Sequence, residues 1–142
     1  MSWLQQFRDR ITSWSTPESL GVRGERAAAR FLKRQGYIIV AHGERDRIGE
    51  IDLVAIDGKT IVFVEVKTRA SHDRGHPAEA VDQDKQRRLT RVALSYLRRH
   101  DLLEYSARFD VVAITWPPDQ KQPTIEHFKN AFEAVGTGQM FN

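Results

Sequence analysis

The sequence predicts a mixed α/β domain, and three observations carry that reading. Apolar residues recur at helical spacing near 24–35 and 82–100. Short runs rich in β-branched and aromatic residues, at 37–40, 50–56, 60–67 and 109–116, read as strands. Two of those runs are joined by Asp57-Gly58, a strong signal for a tight hairpin turn. The expected order is helix, three strands, helix, then one or two strands. Helices would pack on a mixed sheet of four to five strands.

The elements follow in order. With 142 residues, 40% of them hydrophobic, the chain has room for one domain and one core. Trp3, Leu4, Phe7, Ile11 and Trp14 predict an amphipathic helix over 1–16, ahead of a main domain at 17–135. That helix docks on a partner or, more simply, packs on its own domain. Residues 24–35 form the next helix, with Ala27, Ala28, Phe31 and Leu32 as its apolar side and Gly36 as its stop. Glu25 borders the buried face. The run 50–56 pairs antiparallel with 60–67 through the Asp57-Gly58 turn. Residues 68–77 read as an exposed loop. The long helix ending near 100 carries a stripe of Leu89, Val92, Ala93, Tyr96 and Leu97. Strand 109–116 is closed by Pro117-Pro118, 124–128 forms a fifth strand, and 136–142 is a loose tail.

Composition narrows the function classes. There is no Cys, which removes disulfides and thiolate metal sites and fits a reducing compartment. No apolar run approaches the roughly 20 residues that span a bilayer, and the N-terminus has no signal-peptide core. The expectation is a soluble cytoplasmic protein. A net charge of +3 permits a polyanionic partner without demanding one.

The chemistry concentrates in the hairpin. Alternation puts Glu65 and Lys67 on one face of their strand, with Val62, Val64 and Val66 on the other. On the partner strand Glu50, Asp52 and Val54 share a face, opposite Ile51, Leu53 and Ala55. Antiparallel pairing then brings Asp52 beside Glu65 and Lys67 at the open end. Charges inside apolar strands are costly unless paired, and adjacent carboxylates repel unless something positive joins them. Mg²⁺, or Mn²⁺, suits such a pair because it is hard and prefers oxygen. A nearby lysine can orient or deprotonate an attacking water. These are the parts for phosphodiester hydrolysis. A structural ion cluster neutralised by Lys67 is the plain alternative; the apolar strands, the tight turn and the preceding helix with Glu25 favour a site. Lys85, Arg87, Arg88 and Arg91 lack acids four residues on, so their helix is expected along a phosphate backbone. Arg69 and the loop with His72, Arg74 and His76 follow the third strand and close over a substrate. Glu50 is either an acid supporting the site or a solvated strand end. Asp110 pairs with Arg108 or Arg69 and has no catalytic role.

The stretches Gly24-Glu25-Arg26-Ala27-Ala28-Ala29, Gly49-Glu50-Ile51-Asp52-Leu53-Val54-Ala55, Phe63-Val64-Glu65-Val66-Lys67-Thr68-Arg69, Lys85-Gln86-Arg87-Arg88-Leu89 and Arg108-Phe109-Asp110-Val111 resemble the YraN family, also called UPF0102. The resemblance covers roughly residues 20–132. The family is similar to archaeal Holliday-junction resolvases and belongs with the PD-(D/E)xK nucleases. The resemblance therefore implies a restriction-endonuclease-like core and a Mg²⁺-dependent nuclease. It maps Asp52 and Glu65 to the acidic metal ligands, Lys67 to the motif lysine and Glu25 to the first-helix glutamate, a third ligand. It implies a nucleic-acid partner, DNA ahead of RNA; by their charge and position Lys85, Arg88, Arg69 and Arg91 are the residues expected to hold it. It also implies a homodimer, because symmetric junction cleavage needs two sites. Position 51 is Ile rather than the Pro of the motif name, as is usual in this branch. Gly43-Glu44-Arg45 stands where the family commonly has Asn-aromatic-Arg, so a substrate contact by that Asn has no counterpart. Two other readings stay open: a nucleic-acid binder of the same fold that does not cut, and an adaptor acting through the 1–16 helix.

Overall fold

The computed structural model describes residues 19–71 and 81–135. The expected 1–16 helix, the loop bearing His72, Arg74 and His76, and the 136–142 tail lie outside the described residues. The order is α1 (Leu20–Arg34), β1 (Ile38–Arg45), β2 (Glu50–Asp57), β3 (Thr60–Arg69), α2 (Gln83–Arg99), β4 (Ala107–Thr115) and β5 (Thr124–Phe132). That is the predicted order, with the fifth strand present.

Local chemistry sets most boundaries. Helix α1 begins four residues before its expected start because Ser19 caps it, its Oγ accepting the Val22 N–H at 3.3 Å. Its end is a Schellman closure. The Tyr37 N–H donates to Leu32 O and the Gly36 N–H to Lys33 O, both at 3.0 Å. Gly36 sits at φ 95°, which a side chain would disfavour. Asp82 caps α2, accepting the Lys85 N–H at 2.8 Å. Strand β1 runs five residues past its expected end at Val40, to Arg45. Pairing with β2, through Arg45↔Glu50, carries its polar end.

The five strands form one sheet in the order β1-β2-β3-β4-β5. All neighbours are antiparallel except β3 and β4, which run parallel with α2 as the crossover. An apolar layer lies on each side. One contains Val54, Phe63, Leu89, Val92, Tyr96, Leu97 and Phe109 beneath α2. The other contains Ala28, Leu32, Leu53, Val62, Val64, Val112 and Ile114 beneath α1. Strict alternation fails once in β2: Ile51 joins Val54's layer, not that of Leu53 and Ala55. The ladder to β3 ends at Leu53↔Val64, so β2 ahead of Leu53 is no longer held to β3's pleat. Among the described residues no helix is long and apolar enough to cross a membrane.

Close packing at Gly24 fixes α1 against the end of β3. A Cβ there would overlap the Thr68 side chain. The next residue, Glu25, is thereby delivered to the open end of the β2–β3 hairpin.

Candidate functional site

The hairpin turn sets the register, from Asp57↔Thr60 to Leu53↔Val64. Beyond that pair the Val66 N–H donates to Asp52 Oδ2 at 2.8 Å. The carboxylate thus replaces a backbone acceptor and is locked at the mouth of the hairpin. Glu65, only 8% exposed, lies beside it. Lys67 Nζ stands 3.9 Å from Glu65 Oε1, and Lys85 Nζ from α2 stands 3.1 Å from the same oxygen. Glu25 approaches from α1 and hydrogen-bonds Asp52. Three elements of backbone, two strands and α1, therefore bring together Glu25, Asp52, Glu65 and Lys67, all four expected site residues.

The electrostatics follow from crowding in a poorly hydrated place. Burial pushes the Asp52 carboxyl up to about 9, with the Glu65 and Glu25 charges adding to the rise and the Val66 N–H opposing it. Asp52 therefore holds a proton at neutral pH when no cation is near. Burial also raises Glu25, and the charges of Glu50 and Glu65 add to that, against its hydrogen bond with Asp52. Lys67 is lowered by burial and then by its contact with Lys85. Burial pulls Lys85 down too, but its contact with Lys67, the Glu65 and Asp52 charges and its hydrogen bond to Glu65 carry it above its ordinary value.

The donor set fits a hard divalent cation by its chemistry. Carboxylate oxygens that repel one another, one of them forced to keep its proton, are what such an ion relieves. Among the described residues no three acidic or histidine side chains form a ready-made cage. Instead the proton on Asp52 and the two lysines balance the acids.

The remaining expected residues separate. Lys85 belongs to the cluster itself. Its signal in the sequence is its place three residues after the Asp82 cap, since helix side chains lean toward the N-terminus. Arg88 and Arg91 are exposed on α2, with the Arg88 Cβ beside Gly49, just ahead of β2. Arg69, on the same strand as Glu65, turns to β4 and donates from Nε to Thr115 Oγ1 at 3.4 Å. Arg87 does have an acid partner: it meets Asp84 at 3.1 Å, three residues before it rather than four residues after. Glu50 is a surface acid paired with Arg45 at 3.2 Å.

Asp110 pairs with Arg108 at 3.0 Å and is fully buried. His127 Nε2 lies 2.8 Å from it and the Asn130 N–H donates to it at 2.9 Å. Arg108 reaches on to Tyr37 Oη and Asp57. This network ties β5 and the hairpin turn to β4. His127 is not legible in the sequence, because its partner depends on the β4–β5 register.

Comparison with known proteins gives the family of the chain. The model of the uncharacterised protein family UPF0102 matches residues 24–114. A UPF0102 protein of Rhodopirellula baltica is 46% identical over an alignment 153 positions long, covering 99% of this chain and 92% of the relative. UPF0102 proteins of Geobacter sulfurreducens and Geobacter metallireducens are 53% and 50% identical, covering 80% and 82% of this chain and 88% and 93% of the relatives. The chain belongs to the uncharacterised protein family UPF0102.

Proposed function

We propose that the protein is a nuclease that hydrolyses phosphodiester bonds of nucleic acid with Mg²⁺ or Mn²⁺, acting on branched or structured DNA. The observation that carries this reading is the meeting of Glu25, Asp52, Glu65, Lys67 and Lys85 at one end of the sheet. The branched substrate rests on the resemblance to junction resolvases. A bound cation would supply a Lewis acid for the phosphoryl oxygen and a more acidic water. Asp52 and Glu65 would hold it through carboxylate oxygens, with Glu25 acting beside Asp52. The Val66 N–H keeps Asp52 aimed. Lys67, whose ammonium is already weakened by burial, orients the attacking water or takes its proton. Arg88 and Arg91 hold the phosphate backbone along α2, and Arg69 does so at the end of β3.

The test is a cleavage panel with Mg²⁺ and Mn²⁺ over single-stranded, duplex, flap and four-way DNA, plus RNA. Metal-dependent cleavage is expected, lost in D52N and K67A while nucleic-acid binding persists. Cleavage by purified D52N would overturn the reading.

One observation favours a second reading, a module that binds nucleic acid without cutting. The cluster neutralises itself, with Lys85 and Lys67 on Glu65 and a proton on Asp52. That reading predicts salt-dependent affinity and no turnover with any metal.

A further inference from the structure

We propose that Lys85 is the resident counter-ion of Glu65 and yields that carboxylate when a divalent cation binds, freeing its ammonium for the nucleic-acid backbone. This rests on the metal-site reading above and adds a coupling between the two ligands.

The geometry supports the exchange. Two ammonium groups converge on one oxygen, Glu65 Oε1, Lys85 at 3.1 Å and Lys67 at 3.9 Å. The nearer one comes from the helix, not from Glu65's own strand. The Glu65 side chain is 9% exposed. A carboxylate so enclosed needs a positive partner, or it stands as an uncompensated buried charge. A third positive charge at the same oxygen would be repelled by both lysines. One of them must leave, and Lys85 is placed to do so. It sits in the first turn of α2, where its backbone N–H is held by Asp82. Its flexible four-carbon stem can swing while the helix stays still. Arg88, exposed one turn further on, marks the side to which the ammonium would move.

The consequence is reciprocal. A cation that releases Lys85 raises nucleic-acid affinity, and a phosphate that draws Lys85 away raises cation affinity by the same factor.

Two variants test this, K85M and K85Q. K85Q keeps a neutral side chain able to donate a hydrogen bond and is the second variant if K85M does not fold. Isothermal titration with Mg²⁺, without nucleic acid, should show each variant binding about tenfold tighter than the wild type, a common size for site–site coupling. Fluorescence anisotropy on duplex DNA should show affinity rising more on addition of Ca²⁺ for the wild type than for the variants, which keep only the cation's own contact with the phosphate. Equal or weaker Mg²⁺ affinity in folded K85Q overturns the proposal and leaves the metal site standing. A wild type that binds no divalent cation overturns both.

Discussion

The backbone N–H of Val66 donates to the side chain of Asp52 at 2.8 Å, where the strand ladder would otherwise continue. One hydrogen bond thus ends the hairpin and orients a carboxyl group that burial and its acidic neighbours hold in protonated form.

That protonation makes cation binding depend on pH. Asp52 must release its proton before both its oxygens are available to an ion, so Mg²⁺ affinity should rise as pH climbs toward about 9. Titration in buffers of different ionisation enthalpy should reveal about one proton released per ion. Affinity flat between pH 6 and 9, on the order of the range where Asp52 titrates, would contradict it.

The same shift costs stability in the metal-free protein. A carboxyl whose folded pKa is raised destabilises the fold increasingly as pH rises from its unfolded value toward its folded one. Asn can accept from Val66 and donate to Glu65, as protonated Asp does. D52N should therefore raise the urea midpoint at pH 8 in chelator, a gain of about 1–3 kcal/mol. At pH 4 and below, roughly the unfolded carboxyl range, the gain should vanish.

Asp110 behaves in the opposite sense. Burial alone would raise it, but hydrogen bonds from His127, Arg108 and the Asn130 N–H hold it below its ordinary value. Its contribution is present above the unfolded pKa and lost as pH falls through the folded one. D110N should cost about 2–4 kcal/mol at neutral pH by removing the buried one of the two carboxylates that hold Arg108, with a smaller cost near pH 3. Denaturant curves at the two pH values decide it; equal losses would show that only packing is at stake.

Gly24 is a packing requirement. G24A would drive a methyl group into Thr68 and tilt the start of α1, at a cost of about 1–3 kcal/mol. Because Glu25 follows directly, Mg²⁺ affinity should fall as well. G21A, one turn earlier and clear of strand contacts, should leave that affinity unchanged. Calorimetry on both variants checks this.

Arg88 and Arg91 should contribute through phosphate contacts. Each change to Ala should lower nucleic-acid affinity across sequences and reduce the slope of log K against log salt by about 0.9 for each phosphate left unneutralised. R87A should matter less, because Arg87 is already engaged with Asp84. An unchanged slope in the R88A/R91A double variant would place the backbone elsewhere.

Local order is written in the chain alone. Period-two alternation in β3, the Asp57-Gly58 turn and the apolar stripes placed every described element and brought Asp52, Glu65 and Lys67 to one end of a hairpin. These depend on neighbours in the chain and on one two-residue turn. The rest follows from docking in three dimensions. Lys85 meets Glu65 because the crossover lays the first turn of α2 over the open hairpin. Arg99 finds Glu44 across 55 residues of chain, and His127 finds Asp110 across a bulged β4–β5 register. Ile51 changes layer just past the end of the β2–β3 ladder, while still paired with Glu44 of β1. Each of these depends on how distant segments meet, which no local spacing encodes.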